Sequence, residues 1–303
     1  MDGLALQEGD VFVDGTLGLA GHSAAAAKRL GSDGLLIGID QDDTALERAR
    51  ERLESIPEET RPELLLLKGN FGQFDDLLLE AELPGTNATL FDLGVSSPQI
   101  DNPARGFSFK EDAPLDMRMD PGKQTLTAAE ILNTANEADL ARIIRANSDE
   151  KWASRIASFV TKARKAAPIE TSQQLVDIIK AAIPASARRA GGHPAKRTFQ
   201  ALRMEVNQEQ QVLKDGLDAA IRWLLPGGRI CVISYHSIED RIVKETFAAF
   251  ANRCTCPPDL PVCACGKQPM LKVETRKPIL PTAEEVERNP RARSAKLRIA
   301  VRL

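Results

Sequence analysis

Residues 10–22 read DVFVDGTLGLAGH and decide the fold. An apolar run typical of a buried strand ends at Asp14, a glycine-rich turn follows, and a helical pattern begins at His22. A glycine-rich turn between a strand and a helix allows the backbone to approach a ligand closely. The stretch therefore predicts the first strand, turn and helix of an α/β domain, with a ligand beside the turn.

The same pattern of strand and helix continues along the first hundred residues. Further strand-like runs lie at 35–39, 64–67 and 88–91, and helical segments lie at 22–30 and 42–55. Alternation of this kind is typical of a parallel sheet covered by helices.

From about residue 109 to residue 203 the sequence shows helical patterns and capping residues instead of strands. A long helix at about 204–225, a strand at 229–234 and an alternating strand at 297–303 then follow. We therefore predict an α/β domain built from 1–107 and 204–303, interrupted by an inserted all-helical domain at 108–203.

The composition is that of a soluble globular protein, with 43% hydrophobic and 27% charged residues in 303. No apolar run approaches the roughly 18 residues of a membrane span, and Met1 does not begin a signal peptide, so we expect a cytoplasmic protein that does not contact membranes. The net charge of −3 gives no overall attraction to nucleic acid. Two local basic patches, which are either solvated surface or nucleic-acid contacts, consist of Arg188, Arg189, Lys196, Arg197 and Arg203, and of Arg288, Arg291, Arg293, Lys296, Arg298 and Arg302.

The spacing of the glycine-rich turn distinguishes between nucleotide ligands. A dinucleotide site has G-x-G-x-x-G, whereas this turn has G-x-x-G-x-x-G behind Asp14. An acidic residue repels pyrophosphate and attracts an ammonium or sulfonium group. The second strand ends at Asp40, where a carboxylate accepts hydrogen bonds from ribose hydroxyls. S-adenosylmethionine fits both features; the alternative is a tight turn with Asp40 as a helix cap.

A second polar segment follows the fourth strand, in the run LFDLGVSSPQ at 90–99. Ligands of open α/β sheets bind outside the carboxyl ends of the strands, so Asp92 and the next residues face the reactive end of the cofactor. A side-chain oxygen of Ser97 and a carbonyl fixed by Pro98 could accept both N–H groups of a nucleobase amine and turn its lone pair toward the methyl group. The alternative is a simple Ser-Pro turn.

Six blocks of sequence together resemble one known family, the bacterial ribosomal RNA small subunit methyltransferase H family. They are DGTLGLAGHS at 14–23, DLGVSSPQID at 92–101, RGFSFKEDAPLDMRMD at 105–120, HPAKRTFQALRMEVNQE at 193–209, ISYHSIEDRIVK at 233–244 and NPRARSAKLRIA at 289–300. The resemblance implies a Rossmann-like class I S-adenosylmethionine-dependent methyltransferase sheet with an inserted helical domain for RNA recognition. It also implies methylation of cytosine N4 in the decoding region of 16S rRNA, with that RNA or the small ribosomal subunit, and not DNA, as partner.

The resemblance also assigns candidate site residues. It places cofactor contacts at Ala20, Gly21, His22, Asp40, Phe71, Asp92 and Gln99. Ala20 stands where the family often has glycine. Alanine is tolerated there if φ is negative, whereas a positive φ puts cofactor affinity in question. Ser97 and Pro98 are the catalytic candidates. For the RNA we assign Arg105, Phe107, Arg118, Lys196, Arg197 and His236, with His236 either contacting substrate or capping a helix, and with Phe109 and Tyr235 as further stacking candidates.

Two features leave alternatives open. Cys254, Cys256, Cys263 and Cys265 form C-x-C-x6-C-x-C; we expect reduced thiols and no metal, with zinc as the alternative. The family usually opens with a His-x-Pro-Val-Leu-like segment, and Met1 follows that point, so we expect either a start assigned too late or an incomplete active-site cover with weak activity. The functional alternatives are an amino methyltransferase acting on other RNA or on DNA, and a cofactor-binding RNA-binding module without activity.

Overall fold

The computed structural model describes residues 1–189, 192–252, 256, 264–266 and 268–303. The chain forms two compact units, one made of Met1–Gly94 with Gln210–Leu303 and the other of Val95–Glu209. The domain boundaries predicted at 107/108 and 203/204, and the role of the inserted part in RNA recognition, stay predictions.

The described residues of the first unit form a seven-stranded sheet in the order β3-β2-β1-β4-β5-β7-β6. Its strands are β1 (Val11–Asp14), β2 (Leu35–Asp40), β3 (Glu63–Lys68), β4 (Thr86–Asp92), β5 (Leu224–Ser234), β6 (Leu271–Val273) and β7 (Lys296–Arg302). The first five strands are parallel, whereas β7 is antiparallel to both β5 and β6. The predicted α/β class with a parallel sheet is confirmed.

Thirteen α-helices occur in the described part of the chain. They are α1 (Gly21–Leu30), α2 (Asp43–Glu54), α3 (Phe74–Glu80), α4 (Ser97–Asp101), α5 (Ala128–Thr134), α6 (Glu137–Ser148), α7 (Ala153–Ala163), α8 (Ser172–Ala182), α9 (Ala185–Arg189), α10 (Lys196–Val206), α11 (Glu209–Trp223), α12 (Ser237–Ala251) and α13 (Ala283–Arg288). In the part of the chain that the structure describes, we find no helix with the length and apolar character needed to cross a bilayer.

Each unit has its own apolar core. In the first, Phe12 and Leu36 of the sheet pack with Ala27 and Leu30 of α1 and with Leu53 of α2, all fully buried. These contacts hold α1 and α2 against the sheet, and so fix the turns that precede both helices.

The second unit is a bundle of helices. Its core contains the buried residues Leu140, Ile144, Ile156, Leu175 and Phe199, contributed by α6, α7, α8 and α10. Capping boxes open α5 and α8. Thr127 opens α5 with Glu130, and Thr171 opens α8 with Gln174. Each box satisfies backbone N–H groups that a helix start leaves unpaired.

The prediction of one long helix from 204 to 225 is wrong, because the helix is interrupted after Val206. Gln208 has a φ of +49°, which a helix does not accommodate. The buried Asn207 amide donates to Met117 O (2.8 Å) and accepts from Met119 N (2.9 Å). These side-chain bonds tie the interruption to a segment that is distant in the sequence. β5 also begins at Leu224, before the predicted Arg229.

Two arginines of the predicted basic patches form ion pairs within the protein. Arg298 is 5% exposed, and its Nε donates to Asp240 Oδ1 at 2.7 Å. Arg203 makes a bidentate pair with Glu209, with both N–O distances at 2.7 Å. Arg298 is therefore neither solvated surface nor a nucleic-acid contact, the two alternatives predicted for the basic patch, because the middle of β7 is covered on both faces.

Candidate active site

The buried carboxylate of Asp14, at the end of β1, stabilises the glycine-rich turn through hydrogen bonds. Its Oδ2 accepts from the Ser23 hydroxyl in α1 (2.7 Å), and its Oδ1 accepts from Thr16 N (3.2 Å). Burial raises the pKa of Asp14 to about 6, against the opposing hydrogen bond from Ser23. Asp14 thus fixes the shape of the turn, and the acidic groups left to meet a ligand come from other strands.

The turn runs through left-handed backbone at Gly18 (φ +50°) and Ala20 (φ +54°). The condition under which Ala20 would be easily tolerated is therefore not met, and its methyl group is fully buried. Beside it the backbone is open: a methyl group added at Gly21 would meet no atom of the described residues within 4 Å. A ligand can therefore approach the turn closely.

Asp40 lies where β2 ends and is tied to the same turn. Its Oδ2 accepts from Gly18 N at 2.8 Å, and its Oδ1 accepts from Asp42 N at 3.0 Å. The residue that caps α2 is Asp42, whose side chain accepts from Thr44 N. Burial raises the pKa of Asp40. Each carboxylate oxygen keeps acceptor capacity, which a pair of ribose hydroxyls could use.

Asp92, at the end of β4, is the centre of a hydrogen-bond network. Its backbone N–H donates to Thr16 Oγ1 (2.6 Å), and its Oδ1 accepts from the Tyr235 hydroxyl (2.8 Å). His22 Nε2 lies 3.4 Å from Asp92 Oδ2. The hydrogen bond to Asp92 raises the pKa of His22, and burial together with the nearby Asp92 charge raises the pKa of Tyr235.

Tyr235 is predicted from the sequence as a stacking residue, and its hydrogen bond to Asp92 is not predicted. The pairing of β4 with β5 indicates this bond, because Asp92 aligns with Ile233 in the parallel pair and Tyr235 follows Ile233 by two residues. Phe71 follows the end of β3, and its ring lies 5.2 Å from that of Phe91. Six of the predicted cofactor residues therefore lie at or after the carboxyl ends of strands, together with Tyr235: Ala20, Gly21, His22, Asp40, Phe71 and Asp92.

The segment with the catalytic candidates forms the short helix α4 rather than an open loop. Ser97 and Pro98 lie in its first turn. The Gln99 side chain is 6% exposed, and its Oε1 accepts from Ser96 N at 3.0 Å. Gln99 thus stabilises the start of α4 and keeps its amide N–H groups for other partners.

The arginines predicted to bind phosphate make hydrogen bonds within their own unit. Arg118 forms a bidentate pair with Asp116 (2.8 and 2.7 Å). Arg105 Nη2 donates to the carbonyls of Arg118 (3.1 Å) and Met119 (3.0 Å), and its guanidinium lies 5.9 Å from the Phe107 ring. These bonds order the segment from 105 to 119.

Lys196 and Arg197 are exposed in the first turn of α10, as a binding role requires. In the same unit, the exposed His193 stacks on Phe109 with ring centroids 4.4 Å apart. His236, in the first unit, caps α12: its Nδ1 accepts from Glu239 N at 3.4 Å. The structure thus shows the capping alternative for His236, and contact with substrate stays a prediction.

The cysteine motif lies partly outside the described residues, since Cys254 and Cys263 are among those left out. The choice between reduced thiols and a zinc site therefore lies outside the described residues. Cys231 is buried in β5, and burial raises its pKa to about 12, as expected for a core residue.

A parallel sheet with an antiparallel last hairpin, a glycine-rich turn and acidic strand ends define a Rossmann-like S-adenosylmethionine-dependent methyltransferase. The chain belongs to the MraW methylase family, whose sequence profile matches residues 1–303. It is 52% identical over 303 residues to a ribosomal RNA small subunit methyltransferase H of Symbiobacterium thermophilum, covering 100% of this chain and 94% of that protein. The protein of that name in Geobacter sulfurreducens is 52% identical, with 99% and 95% covered. Among solved structures, an rRNA methylase from Streptococcus thermophilus has a TM-score of 0.42 and 11% identity, covering 100% of this chain and 93% of that one.

Proposed function

We propose that this protein transfers the methyl group of S-adenosylmethionine to N4 of a cytidine in the decoding region of 16S rRNA. The observation that carries the proposal is the pair of carboxylates, Asp40 and Asp92, beside the open glycine-rich turn of a chain in the MraW methylase family. The relatives named above are small-subunit rRNA methyltransferases by name, and this chain matches nearly the whole length of each.

The residues at this edge of the sheet fit S-adenosylmethionine. Residues 14–22 contain no Lys or Arg that would pair with pyrophosphate, and the space beside Gly21 admits a ligand against the backbone. Asp40 would hold the ribose, and Asp92 with His22 would lie toward the cationic end of the cofactor. When bound, the cofactor supplies a methyl group on a sulfonium, which is an electrophile.

The residues after β4 would position the acceptor. Ser97 and a carbonyl held by Pro98 would accept the two N–H groups of the cytosine amine, which would turn the lone pair toward the methyl carbon. The sulfonium would supply the methyl group and keep the bonding pair of the broken C–S bond, and the amine nitrogen would give a proton to water or to a nearby carboxylate. No strong base is required beforehand, because the nitrogen becomes acidic as it is alkylated.

The target base must leave its stack to reach these groups, as bases do in other nucleobase-modifying enzymes. The exposed Lys196 and Arg197 would hold the RNA backbone during this step. We assign RNA recognition to the inserted helical domain, and the small ribosomal subunit or its rRNA as the partner. This substrate places the activity in the cytoplasm.

The test is a methyl-transfer assay with small ribosomal subunits, naked 16S rRNA and duplex DNA, followed by mass spectrometry of the nucleosides. We expect N4-methylcytidine from subunits or rRNA, and none from DNA. Methylation of DNA alone would refute the proposal. Tight cofactor binding without turnover on any of the three would instead assign the protein to the class of inactive cofactor-binding modules.

A further inference from the structure

The outer face of α7 and its flanks carry an unbalanced positive charge. From 151 to 165 the sequence has five basic residues and no acidic residue, in a chain with a net charge of −3. One of the five, Arg164, is structural, since its Nη1 donates to Leu132 O (2.7 Å) and Ala135 O (2.6 Å) at the end of α5. The other four are exposed; they are Lys151, Arg155, Lys162 and Lys165.

These four cations have no acidic partner within 4 Å among the residues that the structure describes. The neighbouring helix differs, because Arg142 of α6 pairs with Asp139 at 3.2 Å. Glu137 does contact α7, but it does so through the Thr161 hydroxyl (3.1 Å). The positive charge of this face is therefore left for a group outside the chain.

Two of the four cations lie at the end of α7 where a positive charge does not favour the helix. Arg155 lies in the first turn of α7 and Lys151 lies just before it, where the helix dipole disfavours a cation by about 0.3–1 kcal/mol. Ala153, Ile156, Ala157 and Val160 bury the opposite face of α7 in the core. The charged face is thus rigidly presented, and the dipole disfavours its cations at the first turn while it favours Lys162 in the last turn.

An aromatic ring lies among these cations. The Arg155 guanidinium lies 5.6 Å from the centroid of Phe159, one turn further along the same face, and Phe159 is partly exposed. Cations that pair with phosphates, interleaved with planar groups on which bases stack, suit an unpaired RNA strand. Phe159 packs partly against the core of the second unit, and its exposed part is a stacking surface that a folded acidic protein would not use.

We propose that Lys151, Arg155, Phe159, Lys162 and Lys165, here named the α7 stripe, bind an unpaired strand of the RNA substrate through its phosphates. The inference rests on the proposed function, since it takes RNA as the ligand. Arg155 and Lys162 are seven residues apart, on the order of 10 Å along the helix axis, so each can pair with a different phosphate. The stripe adds affinity and orientation and takes no part in methyl transfer.

The test compares two double variants of the whole protein with the same change in charge. Arg155→Gln with Lys162→Gln removes two cations of the α7 stripe. Lys28→Gln with Arg48→Gln removes two exposed cations of α1 and α2. The dissociation constant for a single-stranded fragment of 16S rRNA is measured over a series of salt concentrations. Each phosphate contact to a single strand contributes about 0.7 to the slope of the log binding constant against log salt concentration, so losing two contacts should reduce the slope by about 1.4. The control pair should leave the slope unchanged.

Three further measurements separate the possible failures. We expect the α7 variant to raise the KM for small subunits while leaving kcat and the cofactor dissociation constant unchanged, and we expect Arg155→Lys with Lys162→Arg to keep the wild-type slope. If the α7 variant has the same slope as the wild type, and the wild type methylates rRNA, the α7 stripe is overturned and the proposed function is not. Loss of binding to whole subunits with normal binding to naked RNA also overturns it, and identifies a protein surface as the occupant. A wild type that binds cofactor but methylates no rRNA overturns the proposed function instead.

Discussion

At the scale of single residues, the network around Asp92 determines how the candidate active site responds to pH. The Tyr235 hydroxyl and His22 Nε2 share one carboxylate, at 2.8 and 3.4 Å. A hydrogen bond from Tyr235 draws charge away from the oxygen that faces His22. The two residues are therefore coupled through Asp92, and a change at one should be measurable at the other.

We predict that Tyr235→Phe raises the pKa of His22 further, because Asp92 then has one donor fewer and attracts the imidazolium more strongly. Asp92→Asn should lower the pKa of His22, since it removes the hydrogen bond that raises it. NMR titration of the three histidines measures both changes, and His193 serves as the internal control. A pKa of His22 that is the same in all three proteins would show that the network does not exist in solution.

Asp14 gives a second prediction, concerning stability. Its pKa is raised from 3.8 to about 6 in the folded protein, so the folded state binds the proton more tightly than the unfolded state. The contribution of Asp14 to stability is therefore fully present below pH 3.8 and is lost as the pH rises through about 6. Asp14→Asn removes the titration and can keep a hydrogen bond at each position, with Oδ1 accepting from Thr16 N and Nδ2 donating to the Ser23 hydroxyl. The difference in free energy of unfolding between variant and wild type should therefore grow from pH 4 to pH 6 and then level off; a difference independent of pH would contradict this.

Ser97 and Asp40 should separate catalysis from cofactor binding. If Ser97 orients the acceptor amine, Ser97→Ala reduces kcat by about 10² or more with little change in cofactor affinity. Asp40→Ala should instead weaken cofactor binding more than it lowers kcat at saturation. Calorimetry with S-adenosylmethionine and steady-state kinetics with small subunits give the two quantities. Equal losses in both quantities for both variants would contradict the assigned roles.

At the scale of elements, the interruption between α10 and α11 is held by Asn207. Its side chain is 5% exposed and bonds to Met117 O, Met119 N and Arg203 O. We predict that Asn207→Ala lowers the free energy of unfolding by about 2–4 kcal/mol, because buried backbone groups lose their partners. Denaturant unfolding measures this loss. Gln211→Ala, at an exposed position early in α11, is the control and should change stability by less than about 0.5 kcal/mol.

The same elements show what could be predicted from the sequence. The first four strands were located to within about two residues because alternation and turn residues are local signals. The interruption at Asn207 was not, because its partners lie 88 and 90 residues away in the chain. The bond from Tyr235 to Asp92 spans 143 residues, and the pair of Arg298 with Asp240 spans 58. Residue types predicted the candidate site, whereas the partners of each side chain required the tertiary structure.

At the scale of the whole molecule, the chain of the second unit is continuous from Val95 to Glu209, whereas the first unit is assembled from two segments. The second unit also has its own core, in which Leu140, Ile144, Ile156 and Leu175 are buried. A continuous segment with an independent core is the condition under which a domain folds alone.

We therefore predict that residues 95–209, expressed alone, fold into a helical domain. Circular dichroism should show a helical spectrum that is lost in one cooperative thermal transition. Ile144→Asp in the same fragment is the control: it places an unpaired charge in the core and should abolish the transition. The fragment should also retain the part of RNA binding that Arg155 and Lys162 provide, so neutralising both should reduce its salt dependence as in the whole protein. A fragment that is helical but melts without cooperativity would show that the core of the second unit needs the rest of the chain.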